Sequence, residues 1–163
     1  MDRLWAPWRI NYIQGKKIKG CLFCGILKPS GKKDYLIFQT EYSLCLLNIF
    51  PYNNGHLMVA PKRHVKDISG LGNAEMLDLM KSLALAQKVL LKVLKPEGFN
   101  IGINIGTVSG AGIPGHLHIH IVPRWKGDTN FMPVLGGSKI ISQSLDELFK
   151  QLRRVVKKEM AEK

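Results

Sequence analysis

The stretch Gly115-His116-Leu117-His118-Ile119-His120-Ile121-Val122-Pro123-Arg124 decides how this chain is read. Side chains of a β-strand alternate between two faces with period two. That period sets His116, His118 and His120 on one face and Leu117, Ile119 and Ile121 on the other. One face suits a core, the other chemistry. Pro123 has no N–H for a ladder, so the strand is expected to end there or to run along an edge. Three imidazoles on one face admit three readings: incidental residues of a surface strand, ligands of a mononuclear metal centre, or a nucleophile with acid–base partners. Neighbouring histidines of an H-x-H pair are able to share a metal. The outer two lie roughly 13 Å apart along a strand, which disfavours one ion for all three. Imidazole also attacks, and its neighbours fix its tautomer or move a proton near neutral pH.

A second block lies upstream: Asn48-Ile49-Phe50-Pro51-Tyr52-Asn53-Asn54-Gly55-His56-Leu57-Met58-Val59-Ala60-Pro61-Lys62-Arg63-His64. The downstream run resembles the His-φ-His-φ-His-φ-φ signature (φ apolar) of the histidine-triad (HIT) superfamily of nucleotidyl hydrolases and transferases. The upstream block is similar to that family's N/D…GH-φ-φ-φ-x-P-K-x-H segment, and the resemblance covers roughly Cys21 to Gly137. Asn104-Ile105-Gly106-Thr107 and Arg124-Trp125-Lys126-Gly127-Asp128-Thr129-Asn130-Phe131 look most like the diadenosine tetraphosphate phosphorylase branch.

The resemblance implies an α+β domain: an antiparallel sheet of about five strands, a long central helix and a C-terminal helix, with a nucleotide site on the sheet face away from the helices. It implies His118 as nucleophile on the α-phosphorus of a nucleoside polyphosphate, with a diadenosine polyphosphate as the expected substrate. One ring nitrogen attacks while the other keeps a proton held by a carbonyl. His120 and His56 stabilise the phosphoryl oxygens. Asn48 binds the ribose hydroxyls, with a turn Asn before Pro51 as the plain reading. Phe38, Ile49 and Phe50 are base-pocket candidates, although core residues have the same composition. Cys21-Leu22-Phe23-Cys24 is by itself open between metal, redox and chance. A subset of HIT proteins binds zinc with such a pair, and the matching positions here are Cys21, Cys24, His64 and His116. Four Cys/His ligands make a closed structural site. Magnesium is expected only with the nucleotide, and a homodimer follows from the family and from the wide apolar stripe of the long helix. The rival readings are a His-ligated metallohydrolase and a nucleotide-binding or regulatory module without turnover.

Composition bounds the rest. At 163 residues with 45% hydrophobic and 22% charged, the chain fits one cored domain, read as 21–163 behind an arm of residues 1–20. A formal net charge of +12 favours an anionic partner. The basic residues are scattered, so nucleic acid is not expected as the main partner. No apolar run is long enough to span a membrane and no signal-peptide core is visible, so the cytoplasm is expected. Three cysteines argue against a disulfide scaffold, and Cys45 reads as a core thiol. Trp5, Pro7 and Trp8 are expected to dock the arm.

Strands are predicted over Tyr35–Gln39, Tyr42–Asn48, His56–Ala60 and Phe99–Ile105, the last beside the triad strand with Asn100, Gly102 and Asn104 on its polar side. Gly72 to Lys95 predicts the long helix, with Asn73 as N-cap and Met76, Leu79, Met80, Leu83, Ala86, Leu90, Val93 and Leu94 as its stripe. Pro96 and Gly98 stop it. A last helix is predicted over Ser142–Met160. The loop Val108-Ser109-Gly110-Ala111-Gly112-Ile113-Pro114 offers N–H groups to phosphate. It departs from the family's usual Gly-Gln-Ser/Thr, having Ala111, Gly112 and Ile113 there. Thr107, Ser109, Gly110 and Gly112, with Asn104, are therefore the substrate contacts expected in its place. Lys139 is a candidate for a polyphosphate tail.

Overall fold

Every residue of Ser43–Leu47 and of Leu57–Pro61 is buried, so both runs need cover on two sides. The computed structural model describes residues 20–28, 35–110, 112–113, 115–128 and 141–162. It supplies that cover with an antiparallel sheet of five strands: β1 Leu36–Gln39, β2 Ser43–Leu47, β3 Leu57–Pro61, β4 Gly98–Ile103 and β5 Ile119–Arg124. The spatial order is β1-β2-β3-β5-β4. Short helix α1 (Leu22–Ile26), long helix α2 (Asn73–Leu94) and C-terminal helix α3 (Leu145–Ala161) complete the α+β fold.

The sheet separates two clusters. On one face Cys45, Leu47, Val59, Leu117, Ile119 and Ile121 pack with Leu83, Ala86 and Leu90 of α2 and Leu148, Leu152 and Val156 of α3. On the other, Leu44, Leu46, Met58 and Ala60 meet Phe23 of α1. His120 pairs with Met58 on β3 and with Gly102 on β4, so its ring shares the second face, away from the two long helices. The expected division between apolar and histidine faces is observed.

Several expectations change in detail. Regular pairing begins only at Ile119, so His116 and His118 approach the strand without belonging to it. Pro123 neither ends β5 nor lies at an edge; β5 runs between β3 and β4, and Pro123 pairs with Phe99. The β3 ladder has already stopped at Ile121, and the Pro123 carbonyl accepts a hydrogen bond from Asn53 Nδ2 on that side. The missing N–H therefore faces a position where no ladder bond is made. β4 ends at Ile103, before Asn104.

Gly72, not Asn73, takes the N-cap position of α2. A side-chain cap is worth about 1 kcal/mol. Here the Gly72 N–H instead donates to Glu75 Oε2 at 2.8 Å, and Arg63 grips both oxygens of that carboxylate at 2.8 and 2.6 Å. Met76 and Met80 are exposed rather than buried; Ser82, Leu85 and Val89 complete the inner face instead. α3 starts at Leu145, where the Ser144 hydroxyl caps Glu147 N–H. Its buried Glu159 is gripped by Lys88 and Lys92 of α2. Those two ammonium groups lower its pKa, keep it ionised and tie the helices together. Phe38 lies in the helix-side core and so cannot line a site on the opposite face. Cys45 is a core thiol whose pKa burial pushes up. The arm (residues 1–19), Ala111, Pro114, Met132–Gly137 and Lys139 lie outside the described residues.

Gly55 turns the chain into β3 with φ +78°, and a Cβ there would press into Leu94 Cδ1 and lie 3.1 Å from Pro123 Cγ. Left-handed backbone and overpacking together cost about 2–4 kcal/mol. Gly55→Ala should lower the thermal midpoint accordingly; an unchanged melting curve would contradict this packing.

Candidate functional site

The three ring nitrogens that matter most are fixed by groups that cannot reverse their role. A backbone carbonyl only accepts. His118 Nδ1 lies 2.8 Å from the His116 carbonyl oxygen, so Nδ1 carries the proton and Nε2 keeps its lone pair. His116 Nε2 lies 2.9 Å from the Pro61 carbonyl, which leaves His116 Nδ1 as a lone pair. A backbone N–H only donates. Tyr52 N–H points to His56 Nδ1 at 3.1 Å, so the remaining hydrogen of neutral His56 sits on Nε2, 2.9 Å from His120 Nδ1.

Burial is the main cause of the ring pKa values. It pushes His56 down to about 3, with the His120 and His118 charges adding to it, and His120 to about 4. His118 is lowered for the same reason, against its bond to the His116 carbonyl. All are neutral at pH 7, the state in which an imidazole offers one lone pair and one proton. The unfolded ring titrates near 6.5. Between that pH and about 3 the unfolded chain holds a proton that folded His56 lacks, so stability falls as pH drops through this window. The loss reaches up to about 1.4 kcal/mol per pH unit for this ring. Thermal melts between pH 7 and 4.5 should fall more steeply for the parent than for His56→Gln; parallel curves would contradict the burial.

His118 and His120 rings lie 4.8 Å apart, and His120 and His56 rings 5.0 Å. Asn48 Nδ2 reaches His56 Nδ1 at 3.2 Å while Asn48 Oδ1 accepts from Phe50 N–H at 2.9 Å. The structure thus brings His56, His118, His120 and Asn48 together along the antiparallel β3–β5 pair, with His120 between the other two rings. Phe50 and Ile49 stand exposed beside Asn48. Asn104 follows β4, and Thr107–Ser109 form a single 3-10 turn beyond it, with Gly110 in the left-handed region. The Ser109 hydroxyl donates to the Gly106 carbonyl at 2.8 Å. Among the described residues, no hydrogen bond joins Asn104, Thr107 or Ser109 to the rings, and Gly112 is exposed. They reach the site only by neighbourhood: Gly102, two residues before Asn104, sits opposite His120.

Cys21, Cys24, His64 and His116 converge as a separate cluster, their ligand atoms all within 4.8 Å of one another. Cys21 Sγ lies 3.2 Å from His116 Nδ1, Cys24 Sγ 3.3 Å from His64 Nδ1 and 3.7 Å from His116 Nδ1. Tetrahedral zinc with thiolate and imidazole ligands holds sulfur and nitrogen about 3.5 Å apart. The donor set and spacing fit such an ion, and the Pro61 carbonyl orients the His116 ring as an outer partner should. The Cys pair lies on α1, with Cys21 at its N-cap position, although no helix is evident there from the sequence.

Two neighbours went unread in the sequence. Tyr52 lays its ring over His56, centroids 4.6 Å apart, and reaches within 5.8 Å of His120. Its only signal was its place between Pro51 and His56. Phe23, fully buried between the two cysteines, packs on His116 at 4.9 Å and His118 at 5.0 Å.

The HIT domain model matches residues 30–127. The chain belongs to the HIT family. A relative from Mycobacterium tuberculosis described as "AP-4-A phosphorylase" is 37% identical, with 99% of this chain and 85% of the relative covered. A HIT relative from Schizosaccharomyces pombe, "Bis(5'-nucleosyl)-tetraphosphatase [asymmetrical]", is 37% identical over 57% of this chain and 50% of its own length. The crystal structure of a Zn-bound histidine triad family protein from Mycobacterium smegmatis superposes with a TM-score of 0.69 at 25% identity, covering 88% of this chain and 97% of that one. The HIT fold accounts for the sheet and for the two helices behind it.

Proposed function

We propose that this chain is an enzyme that cleaves dinucleoside polyphosphates, diadenosine tetraphosphate among them, by nucleotidyl transfer through His118. The observation that carries the reading is the 2.8 Å contact of His118 Nδ1 with the His116 carbonyl, which leaves Nε2 as the attacking lone pair. The whole-chain likeness to a protein described as an AP-4-A phosphorylase supports the substrate class. Nε2 attacks the α-phosphorus and the bond to the departing polyphosphate oxygen breaks. Phosphate or water then attacks the same phosphorus, the P–N bond breaks, and the lone pair returns to Nε2. His120 lends its N–H to the phosphoryl oxygens, while His56 supports His120. Asn48, Phe50, Asn104, Thr107, Ser109, Gly110 and Gly112 make up the substrate cleft in this reading. In this reading magnesium enters with the phosphates.

We take the ion at Cys21, Cys24, His64 and His116 to be structural zinc, which fixes the α1 segment to the triad. That use of His116 argues against a triad-ligated catalytic metal, because its free lone pair faces Cys21. Among the described residues no helix is long and apolar enough to cross a membrane. We propose a cytoplasmic, homodimeric protein. Exposed Ile101 on edge strand β4, with Ile105 and Val108 after it, and Met76, Leu77 and Met80 on α2, support a second copy. Sedimentation equilibrium should return about twice the 18.3 kDa chain mass, and a monomer would overturn this part.

Incubation with diadenosine tetraphosphate, with and without inorganic phosphate, tests the activity by product mass. ADP plus ATP means phosphorolysis; AMP plus ATP means hydrolysis. Intact substrate under both conditions would leave the reading without support and favour a binding module.

A further inference from the structure

The direction of the hydrogen-bond chain behind His120 is not free. Phe50 N–H is a donor by nature, so the atom of Asn48 that meets it at 2.9 Å is the carbonyl oxygen. The other end of that amide, the NH2, therefore faces His56 Nδ1 at 3.2 Å. Tyr52 N–H donates to the same nitrogen. Two donors on one lone pair exclude a proton from His56 Nδ1 and place it on Nε2, which donates to His120 Nδ1. His120 Nδ1 is thereby an acceptor, and the His120 proton sits on Nε2.

We infer that Asn48 is a positioning residue: with the Tyr52 main chain it sets the tautomer of His56, and through it presents His120 as a hydrogen-bond donor to the substrate. The inference rests on the proposed reading in which His120 serves the phosphoryl oxygens. It adds to the ribose contact implied by resemblance, since Asn48 Oδ1 has a second lone pair for a sugar hydroxyl. It also makes Asn and Asp inequivalent here. A carboxylate has no hydrogen for His56 Nδ1. It would draw a proton onto that nitrogen, either by moving it from Nε2 or by taking one from solvent. In the first case His56 Nε2 becomes a lone pair, His120 must donate from Nδ1, and its Nε2 faces the phosphoryl oxygen bare.

Nitrogen-15 NMR of the histidine rings in the substrate-free protein tests this. The parent should show protonated Nε2 and bare Nδ1 on both His56 and His120. Asn48→Asp, with its fold checked by its amide spectrum, should show a protonated His56 Nδ1. Its kcat should fall about 10-fold or more with KM nearly unchanged, because a carboxylate still accepts from ribose hydroxyls. A parent with protonated His56 Nδ1 overturns the inference without any variant. So does an Asn48→Asp ring pattern identical to the parent, or an effect confined to KM, which a ribose contact alone would give. The ring pattern is read without turnover, so it stands or falls separately from the covalent mechanism.

Discussion

His118→Ala should lower turnover of diadenosine tetraphosphate by at least about 10³-fold while leaving the fold intact. The ring is 2% exposed, so its loss opens a small cavity beside Phe23, 5.0 Å away, and costs some stability. The sheet does not depend on it, because His118 precedes the paired residues of β5. What vanishes is the lone pair on Nε2, and neither neighbour can replace it. His116 Nδ1 faces the cysteines, and the neutral His120 tautomer offers an N–H. The variant should still bind the nucleotide, as a change in ligand-dependent melting temperature would reveal. In the parent, an alkaline denaturing quench during turnover should leave a nucleotide on His118, detectable by mass and released by acid. Parental turnover in His118→Ala, with no such adduct from any nucleotide tried, would remove the mechanism.

Metal removal should have the second largest effect, on stability first. Cys21 and Cys24 stand at α1, which contributes Phe23 to the smaller core, while His64 lies just after β3 and His116 just before β5. An ion held by all four closes a link of 95 residues between Cys21 and His116. Structural zinc contributes about 10–16 kcal/mol where the whole fold depends on it. Here the helix-side core stands without it, so a smaller share, about 3 kcal/mol, is expected. That is a drop of roughly 6–12 °C in melting temperature. Elemental analysis should find one zinc per chain, and Cys24→Ser or a strong chelator should produce the drop. A metal-free preparation that melts like the parent in excess chelator would exclude the ion. A chelator that stops turnover without moving the melting curve would point instead to a catalytic metal.

Much of this site is legible in the chain. The alternation of Leu117, Ile119 and Ile121 with histidines forces one face inward, because each buried aliphatic side chain is worth about 1.5–3 kcal/mol. A helix of 22 residues follows from the stripe of Leu79, Leu83, Ala86 and Leu90. The four candidate metal ligands were marked by resemblance, and they meet in space. Other residues defeated the pattern. Met76 and Met80 share the helical spacing of the stripe yet face out, since spacing cannot say where a partner element stops. Pro123 read as a strand end because a sequence does not reveal which side of a strand lacks a neighbour.

The sequence by itself determined the alternation that sets Leu117, Ile119 and Ile121 inward and the histidines on the other face, and its resemblance marked the cysteines and histidines that gather. Only the tertiary structure decided which nitrogen of each ring carries the proton. That choice belongs to the carbonyls of His116 and Pro61, the N–H of Tyr52 and the amide of Asn48. Main-chain donors and acceptors are common to nearly every residue and leave no mark in a sequence. Their directions exist only once the chain has packed, the Pro61 carbonyl meeting His116 from 55 residues away.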